Sequence, residues 1–225
     1  MSQIIDTTEM YLRTIYELLE EGVSPLRARI AERMQHSGPT VSQTVARMER
    51  DGLLTVDGDR RILLSRHGQA AAADVMRRHR LAERLLVDVI GLDWAEAHDE
   101  ACKWEHAIGG PAEAKLVALL GDPDVSPFGA PIPRLGEPAA ASIGRFRERT
   151  APLSQVLPRR GRLTLARLGE YIQREVSSLK ALAAASILPG ATFEATSDAT
   201  SLTLRTHLAE CTLDADWATQ LFVAA

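Results

Sequence analysis

The sequence predicts a mainly α-helical protein with a winged helix-turn-helix at its start, a helical middle region and a small β domain at its end. Apolar residues recur at helical spacing as far as about Leu120. Two short helical segments flank a tight turn and lead into a hairpin pattern, and further strand-like segments appear beyond a Pro-rich stretch. We therefore divide the chain into residues 1–72, 73–140 and 141–225.

The first helix is predicted to begin at a capping box, Asp6-Thr-Thr-Glu9, and to run to about Glu21. Leu12, Ile15, Tyr16 and Leu19 form its core stripe. Met10 lies roughly 170° from the middle of that stripe. A methionine on the outward face of a helix indicates a contact other than the core of its own domain.

The next segments form the helix-turn-helix and its wing. A second helix is predicted to begin at Ser24-Pro25 and end at Met34, and a third is predicted from Pro39 to just before Gly52. The hairpin comprises residues 53–56, a turn at 57–59 and residues 60–64. Eight Arg and five acidic residues between Leu26 and Arg66 give this region a charge of +3, which favours contact with DNA.

Three further helices are predicted in the middle of the chain, at residues 65–90, from the capping box Asp93-Trp-Ala-Glu96 to about residue 106, and from Pro111 to about Leu120. Their apolar surface is broader than one neighbouring helix can cover. We interpret the surplus as a two-fold dimer interface, with a larger intramolecular core as the alternative.

Residues 122–158 are rich in Pro, Gly and Ala and are interpreted as a linker, or tether. Strand-like segments follow at residues 162–168, 191–195 and 202–208, with an Ala-rich segment at 179–187. This pattern is weak, and it is compatible with a small β-barrel-like domain.

Composition narrows the classes of function. The 225 residues carry a net charge of −4, so the chain as a whole is not a basic nucleic-acid binder. No signal peptide pattern or membrane-spanning apolar run is seen, which predicts a cytoplasmic protein. Cys102 and Cys211 show no disulfide spacing; a metal-ligating thiolate is the better use of Cys102, and Cys211 is expected to be a buried free thiol.

Potential metal ligands are concentrated between residues 79 and 106. His79 and Glu83 are four residues apart, and His98, Cys102, Glu105 and His106 fall within roughly 100° of one helix face. Imidazole, thiolate and carboxylate groups on one stripe suit a first-row transition metal. Each residue alone also has a structural interpretation, as a core cysteine, a partly buried histidine or a surface hydrogen-bonding pair.

Four motifs together resemble the diphtheria toxin repressor family of iron-dependent repressors. They are the run from Asp6 to Tyr16, the run from Ser37 to Arg50, His79-Arg-Leu-Ala-Glu83, and the run from His98 to His106. Many residues match the family between about residues 4 and 134, and fewer match in the linker and the C-terminal region. It implies a third, SH3-like domain, on which the Pro-rich tether can dock.

The resemblance also implies a set of sites. A primary, activating metal site matches Met10, Cys102, Glu105 and His106, and an ancillary site matches His79, Glu83, His98, Glu170 and Gln173. An anion site beside the ancillary metal matches Arg80 and Ser126, but its third member, Asn in the family, is Ala130 here. The cofactor expected is Fe²⁺ at two sites per chain, with Co²⁺, Ni²⁺, Mn²⁺ or Zn²⁺ able to substitute in vitro.

By the same resemblance, iron binding orders the residues before Asp6, and a homodimer then represses iron-uptake and siderophore genes from a palindromic operator that two dimers can share. Gln43 is the candidate for base recognition, with Ser37 and Pro39 against thymine methyl groups. The candidates for phosphate contact are Thr7, Arg27, Thr40, Ser42, Arg47, Arg50 and Arg60.

Three alternatives remain at this stage. A manganese-responsive repressor of the same family would carry carboxylates in place of Met10 and Cys102, so these two residues favour iron. A zinc metalloenzyme is disfavoured because the sequence has no His-Glu-x-x-His motif. A purely structural or storage metal site would leave any DNA binding independent of metal.

Overall fold

A computed structural model describes residues 7–157 and 161–224. The first part contains α1 (Thr7–Glu20), α2 (Arg27–Met34), α3 (Gly38–Arg50) and the antiparallel pair β1 (Leu54–Val56) and β2 (Ile62–Leu64). The core between them holds Tyr11, Ile15, Val45 and Met48, all fully buried. This is the predicted winged helix-turn-helix; Asp6 of the expected capping box lies outside the described residues.

The second helix begins later than predicted. Ser24-Pro25 does not cap it, because this stretch pairs with the wing instead: Ile62 donates its backbone N–H to the Pro25 carbonyl, and Leu26 forms an isolated bridge with Arg61. Leu26 is the residue that precedes α2. The Pro25 carbonyl therefore accepts a hydrogen bond from the wing, and the helix begins two residues later.

The middle region contains α4 (Arg66–Arg84), α5 (Ala97–Trp104) and α6 (Gly110–Leu120). A π-helical turn, Leu85–Ile90, extends α4 to the predicted end of the long helix, where Gly91 has a φ of 78°. The helix α5 ends before Glu105, so Glu105 and His106 lie on the turn that follows it and not within the helix. Val89, Ile90 and Leu119 expose more than half of their surface, which leaves the apolar face expected of a dimer interface.

The linker interpretation is wrong for residues 139–156. They form α7 (Ala139–Arg147), β3 (Thr150–Pro152) and α8 (Leu153–Val156). Ala139 and Ile143 of α7 pack into the core of the first region, and Tyr16 donates a hydrogen bond to the Ser142 hydroxyl over 2.7 Å. Residues 158–160 of the predicted linker lie outside the described residues.

The C-terminal part contains β4 (Leu163–Leu168), α9 (Val176–Ala184), β5 (Thr192–Ser197), β6 (Ser201–Arg205), β7 (Glu210–Asp214) and β8 (Leu221–Ala224). With β3 these strands form one antiparallel sheet in the order β3-β8-β4-β5-β6-β7. Its core is continuous with apolar residues of the middle region, including Ala97 and Ala101 of α5. Among the described residues, no helix is long and apolar enough to cross a membrane.

Candidate metal centre

One group of potential ligands surrounds His79. It contains His79 and Glu83 from α4, His98 from α5 and Glu170 from the loop after β4, and one ligand atom from each lies within 4.8 Å of the others. His79 Nε2 is 2.8 Å from Glu83 Oε1 and 3.5 Å from Glu170 Oε2. All four residues are almost fully buried. These are four of the five residues predicted for the ancillary site.

Three oxygens of this region fit a cation. Glu83 Oε2, Glu170 Oε2 and Gln173 Oε1 are buried side-chain atoms without a hydrogen-bond partner in the described part of the chain. Gln173 uses its amide nitrogen to donate to the Leu168 carbonyl at 3.4 Å, which leaves the oxygen free. Buried oxygens without partners are costly unless something satisfies them, and a metal ion is suited to do so.

A second group adjoins the first through the same histidine. Ligand atoms of His79, Cys102 and Glu105 lie within 4.8 Å of one another. His79 Nδ1 is 2.6 Å from Glu105 Oε2, while its Nε2 faces Glu83. Arg13 of α1 also enters this group, since its Nη1 donates to Cys102 Sγ at 3.0 Å and to Glu105 Oε2 at 2.9 Å.

The remaining predicted primary ligands lie at the edge of this group. His106 Nε2 is 3.3 Å from Glu105 Oε1, and its Nδ1 is 2.6 Å from Glu9 Oε2 on α1. Met10 is half-buried and lines a cavity of about 190 Å³ together with Arg13 and Met34. The structure therefore brings Cys102, Glu105 and His106 together, with Met10 lining an adjacent cavity.

Electrostatics set the charges of these side chains in the absence of a metal, and His79 is held as an imidazolium that must lose a proton before it can bind an ion. Burial would lower the pKa of His79, but the neighbouring carboxylates of Glu83, Glu105 and Glu170 outweigh it and raise that pKa well above its usual value. Burial would raise the pKa of the Cys102 thiol, yet Arg13 and His98 lower it to about 6. A thiol with this pKa is largely a thiolate at neutral pH, which is the form that binds metals.

The predicted anion site has its arginine fully engaged. Arg80 is completely buried, and its five N–H groups donate to Glu20, Glu170 and the Pro131 carbonyl. Ser126 Oγ accepts the backbone N–H of Phe128 and makes no contact with an anion-binding arginine in the described structure. The internal carboxylates take the place of an external anion, so this geometry gives the anion prediction no support.

Nine of the ten predicted DNA-contacting residues are exposed. Exposed members are Thr7 on α1, Pro39, Thr40, Ser42, Gln43, Arg47 and Arg50 on α3, Ser37 before it and Arg60 at the wing; Arg27 is half-buried. Ser37 also caps α3, because its hydroxyl accepts the backbone N–H of Thr40. The wing residue Arg61 pairs with Asp57 and Asp59, which leaves Arg60 as the wing cation directed to solvent.

Sequence reasoning missed Arg13, Glu9 and Glu20, which contact the candidate site from α1. A signal was present, because Arg13, Glu17 and Glu20 recur at i, i+4 and i+7 on one helix face. All three are buried in the structure. A buried charged stripe of this kind needs partners from other elements.

The winged helix beside buried nitrogen, sulfur and oxygen ligands defines a class of protein, the metal-responsive DNA-binding proteins. Residues 3–62 match the family described as iron dependent repressor, N-terminal DNA binding domain. Residues 65–134 match iron dependent repressor, metal binding and dimerisation domain. The chain belongs to the iron-dependent repressor family.

Similar proteins with known names support this family assignment. The chain is 52% identical over 197 residues to the iron-dependent repressor IdeR of Mycobacterium tuberculosis (strain H37Rv), covering 85% of this chain and 84% of the relative. It is 66% identical over 137 residues to the diphtheria toxin repressor of Corynebacterium jeikeium, covering 61% and 57%. These relatives are repressors, and the chain is not an enzyme.

Solved structures share the architecture. The manganese regulator SloR has a TM-score of 0.76 and 27% identity, with 96% of this chain and 97% of that chain covered. ScaR with bound Zn²⁺ has a TM-score of 0.78 and 27% identity, with 96% and 98% covered. A repressor with both a DNA-binding and a dimerisation domain implies DNA and a second copy of the chain as partners.

Proposed function

We propose that this protein is an Fe²⁺-activated repressor with two metal sites per chain. The observation that carries the proposal is the pair of ligand groups around His79, together with three carboxylate or amide oxygens, of Glu83, Glu170 and Gln173, that are buried without hydrogen-bond partners. Thiolate, imidazole and carboxylate together suit Fe²⁺, Co²⁺ or Ni²⁺ better than Mg²⁺ or Ca²⁺.

We assign the two sites as follows. Cys102, Glu105 and His106, with the Met10 thioether, would hold the activating ion, and His79, Glu83, His98, Glu170 and Gln173 would hold the second. A bound ion supplies positive charge that ties α1, α4 and α5 to the loop after β4. The division of the chain into domains at residues 72/73 and 140/141 also belongs to this proposal. The first boundary falls within α4, and the helix α7, at the second boundary, packs on the first region.

Metal binding would promote DNA binding because the activating group includes residues of α1, the helix that packs against the core of the winged helix. A metal can shift the arrangement only by binding one state more tightly than another. The dimer would then place two α3 helices over a palindromic operator, about one helical turn apart. Regulation of iron-uptake and siderophore genes, and two dimers on one operator, belong to the same proposal.

The test is anaerobic binding to a palindromic operator, followed by fluorescence anisotropy with Fe²⁺, Mn²⁺, Zn²⁺ or a chelator. Wild type is expected to bind tightly only with metal, and Cys102→Ala is expected to lose the response to Fe²⁺. Cys211→Ala is the matched control, because Cys211 is the second free cysteine and lies on β7, outside both ligand groups. Binding that a chelator leaves unchanged would refute the metal-activated mechanism.

Manganese is the second candidate metal, since manganese regulators share this architecture. We favour iron over manganese because of Cys102, since a soft thiolate ligand suits iron better than manganese. If Mn²⁺ activates wild type and Cys102→Ala equally well at concentrations where Fe²⁺ does not, the assignment of iron is wrong while the repressor function stands.

A further inference from the structure

Arg13 places a positive charge at the position where three potential metal ligands converge. Its Nη1 lies 3.0 Å from Cys102 Sγ, 2.9 Å from Glu105 Oε2 and 3.2 Å from His79 Nδ1. These are the three residues whose ligand atoms form the second group. A guanidinium nitrogen therefore already occupies the centre of a set of side chains able to bind a metal.

The charge balance explains why a cation is needed there. Glu105 is almost completely buried, and Arg13 Nη1 lies 2.9 Å from its carboxylate, so the cation stands against an anionic side chain in the protein interior. An isolated buried carboxylate or thiolate is strongly unfavourable. Arg13 is itself buried, and its Nε lies 3.1 Å from Glu17 Oε1, so its charge is compensated in turn.

A metal ion and this nitrogen cannot use the same atoms together. Transition-metal ions bind sulfur, nitrogen and oxygen ligands at about 2.0–2.3 Å, which leaves no room for a nitrogen between them. Two like charges would also repel each other strongly at this distance. Occupation by one requires the other to leave.

The structure offers Arg13 a place to move. The cavity of about 190 Å³ beside α1 is lined by Arg13 together with Met10, Thr14, Met34 and Gln35. Arg33 and Arg174 also line it, and their charges are already paired with Glu21 and Glu17. Met10 and Arg13 are three residues apart and so lie on the same side of α1. If the Arg13 side chain moves into this cavity, it moves along the side of α1 on which Met10 lies, and α1 packs into the core of the first region.

We propose that Arg13 is a resident cation that competes with the activating metal, and so sets the metal concentration at which the repressor responds. This inference rests on the proposed metal function of Cys102 and Glu105. It adds a residue that would not be a ligand but would determine the affinity of the site, by stabilising only the metal-free state.

The experiment uses Co²⁺ as the probe, because a thiolate–Co²⁺ charge-transfer band reports binding at Cys102. Arg13→Gln is compared with wild type by titration against a competing chelator and by unfolding of the metal-free and loaded proteins. The matched control is Arg77→Gln, which removes a buried arginine that pairs with Glu113 away from the ligands.

Arg13→Gln is expected to bind Co²⁺ at least about tenfold more tightly, equivalent to ~1.4 kcal/mol. Without metal, Arg13→Gln should be less stable than wild type, and this loss of stability should match its gain in affinity for Co²⁺. With metal bound, the two proteins should be equally stable. Arg77→Gln should lose stability equally in both states. Unchanged or weaker Co²⁺ binding by Arg13→Gln, with equal loss of stability in both states, would show a purely structural role and overturn the inference.

Two further readouts keep the test decisive. Absence of the charge-transfer band in wild type would refute the proposed metal function itself, which is a separate result. If Arg13→Gln does not fold, the guanidinium NMR signal of Arg13 in wild type, assigned by its loss in Arg13→Lys, is followed during Zn²⁺ addition. A signal that shifts with Zn²⁺ occupancy supports displacement, and an unchanged signal overturns it.

Discussion

Replacement of Arg80 by methionine tests the buried charges that connect the three parts of the chain. Arg80 on α4 donates to Glu20 on α1 at 2.6 and 3.0 Å and to Glu170 beyond β4 at 2.7 and 3.1 Å. Methionine keeps most of the apolar stem but removes the guanidinium that pairs with these two buried carboxylates. Breaking a buried ion pair in this way costs about 3–5 kcal/mol, and we expect the free energy of unfolding of Arg80→Met to fall by that amount.

The size of the loss should depend on pH. Burial raises the pKa of Glu20 from 4.5 to about 7, although Arg80 opposes the rise. A carboxyl group whose pKa is higher in the folded than in the unfolded state loses stability as pH rises through its folded pKa. Since removal of Arg80 raises this pKa further, Arg80→Met should be nearer to wild type at about pH 5.5 than at about pH 8.

The assay is urea unfolding of the metal-free protein, followed by far-UV circular dichroism at both pH values. Arg29→Met is the control, because Arg29 forms an exposed pair with Glu32 worth at most about 1 kcal/mol. The double variant Glu20→Gln/Arg80→Met should regain part of the loss. A loss below about 1 kcal/mol at both pH values would refute the view that these carboxylates are held charged in the interior.

Three further predictions concern packing, the thiol and the DNA surface. Gly68→Ala should lower the free energy of unfolding by about 1–3 kcal/mol in urea unfolding, because its Cβ would lie 1.8 Å from the Leu53 carbonyl oxygen, whereas Gly110→Ala, with open space, should not. Cys102 in the metal-free protein should react with a thiol reagent with a midpoint near pH 6, and a midpoint near its ordinary value of 9 would contradict the lowered pKa. Gln43→Ala should cost about 1–3 kcal/mol at a single operator position in binding assays with base-substituted DNA, and equal weakening on every sequence would exclude base recognition.

Local patterns along the chain predict the first region and the helices well, because they depend on neighbours in sequence. The third helix is predicted from Pro39 to just before Gly52, and it runs from Gly38 to Arg50 in the structure. The errors arise where distant contacts decide. The sequence around Pro25 predicts a helix start, but in the structure the Pro25 carbonyl accepts a hydrogen bond from the wing. The sequence around Ala139 predicts a linker, because the contact with the first region's core that stabilises this short helix is not visible in the local pattern.

The residues of the candidate site also differ in whether the local sequence predicts their position. His98 and Cys102 lie on one helix, so their spacing predicts that they face the same side. Glu170 could be placed beside them only through the family resemblance, since the fold brings it from a loop 72 residues beyond His98. The spacing of Arg13 with Glu17 and Glu20 indicates a charged face of α1, but it does not say which side chains of other elements cover that face.

The position of His79 between the two groups makes them physically dependent. Its Nε2 faces Glu83 and Glu170, and its Nδ1 lies 2.6 Å from Glu105. When an imidazole nitrogen binds a metal, the other carries the proton and donates it to a carboxylate, which fixes that carboxylate's orientation. An ion bound at Nε2 would therefore make Nδ1 a donor to Glu105, the same carboxylate oxygen that Arg13 now contacts. Filling the second site would in this way compensate part of the charge on Glu105 and weaken the hold of Arg13, so that binding at the two sites is coupled through one side chain.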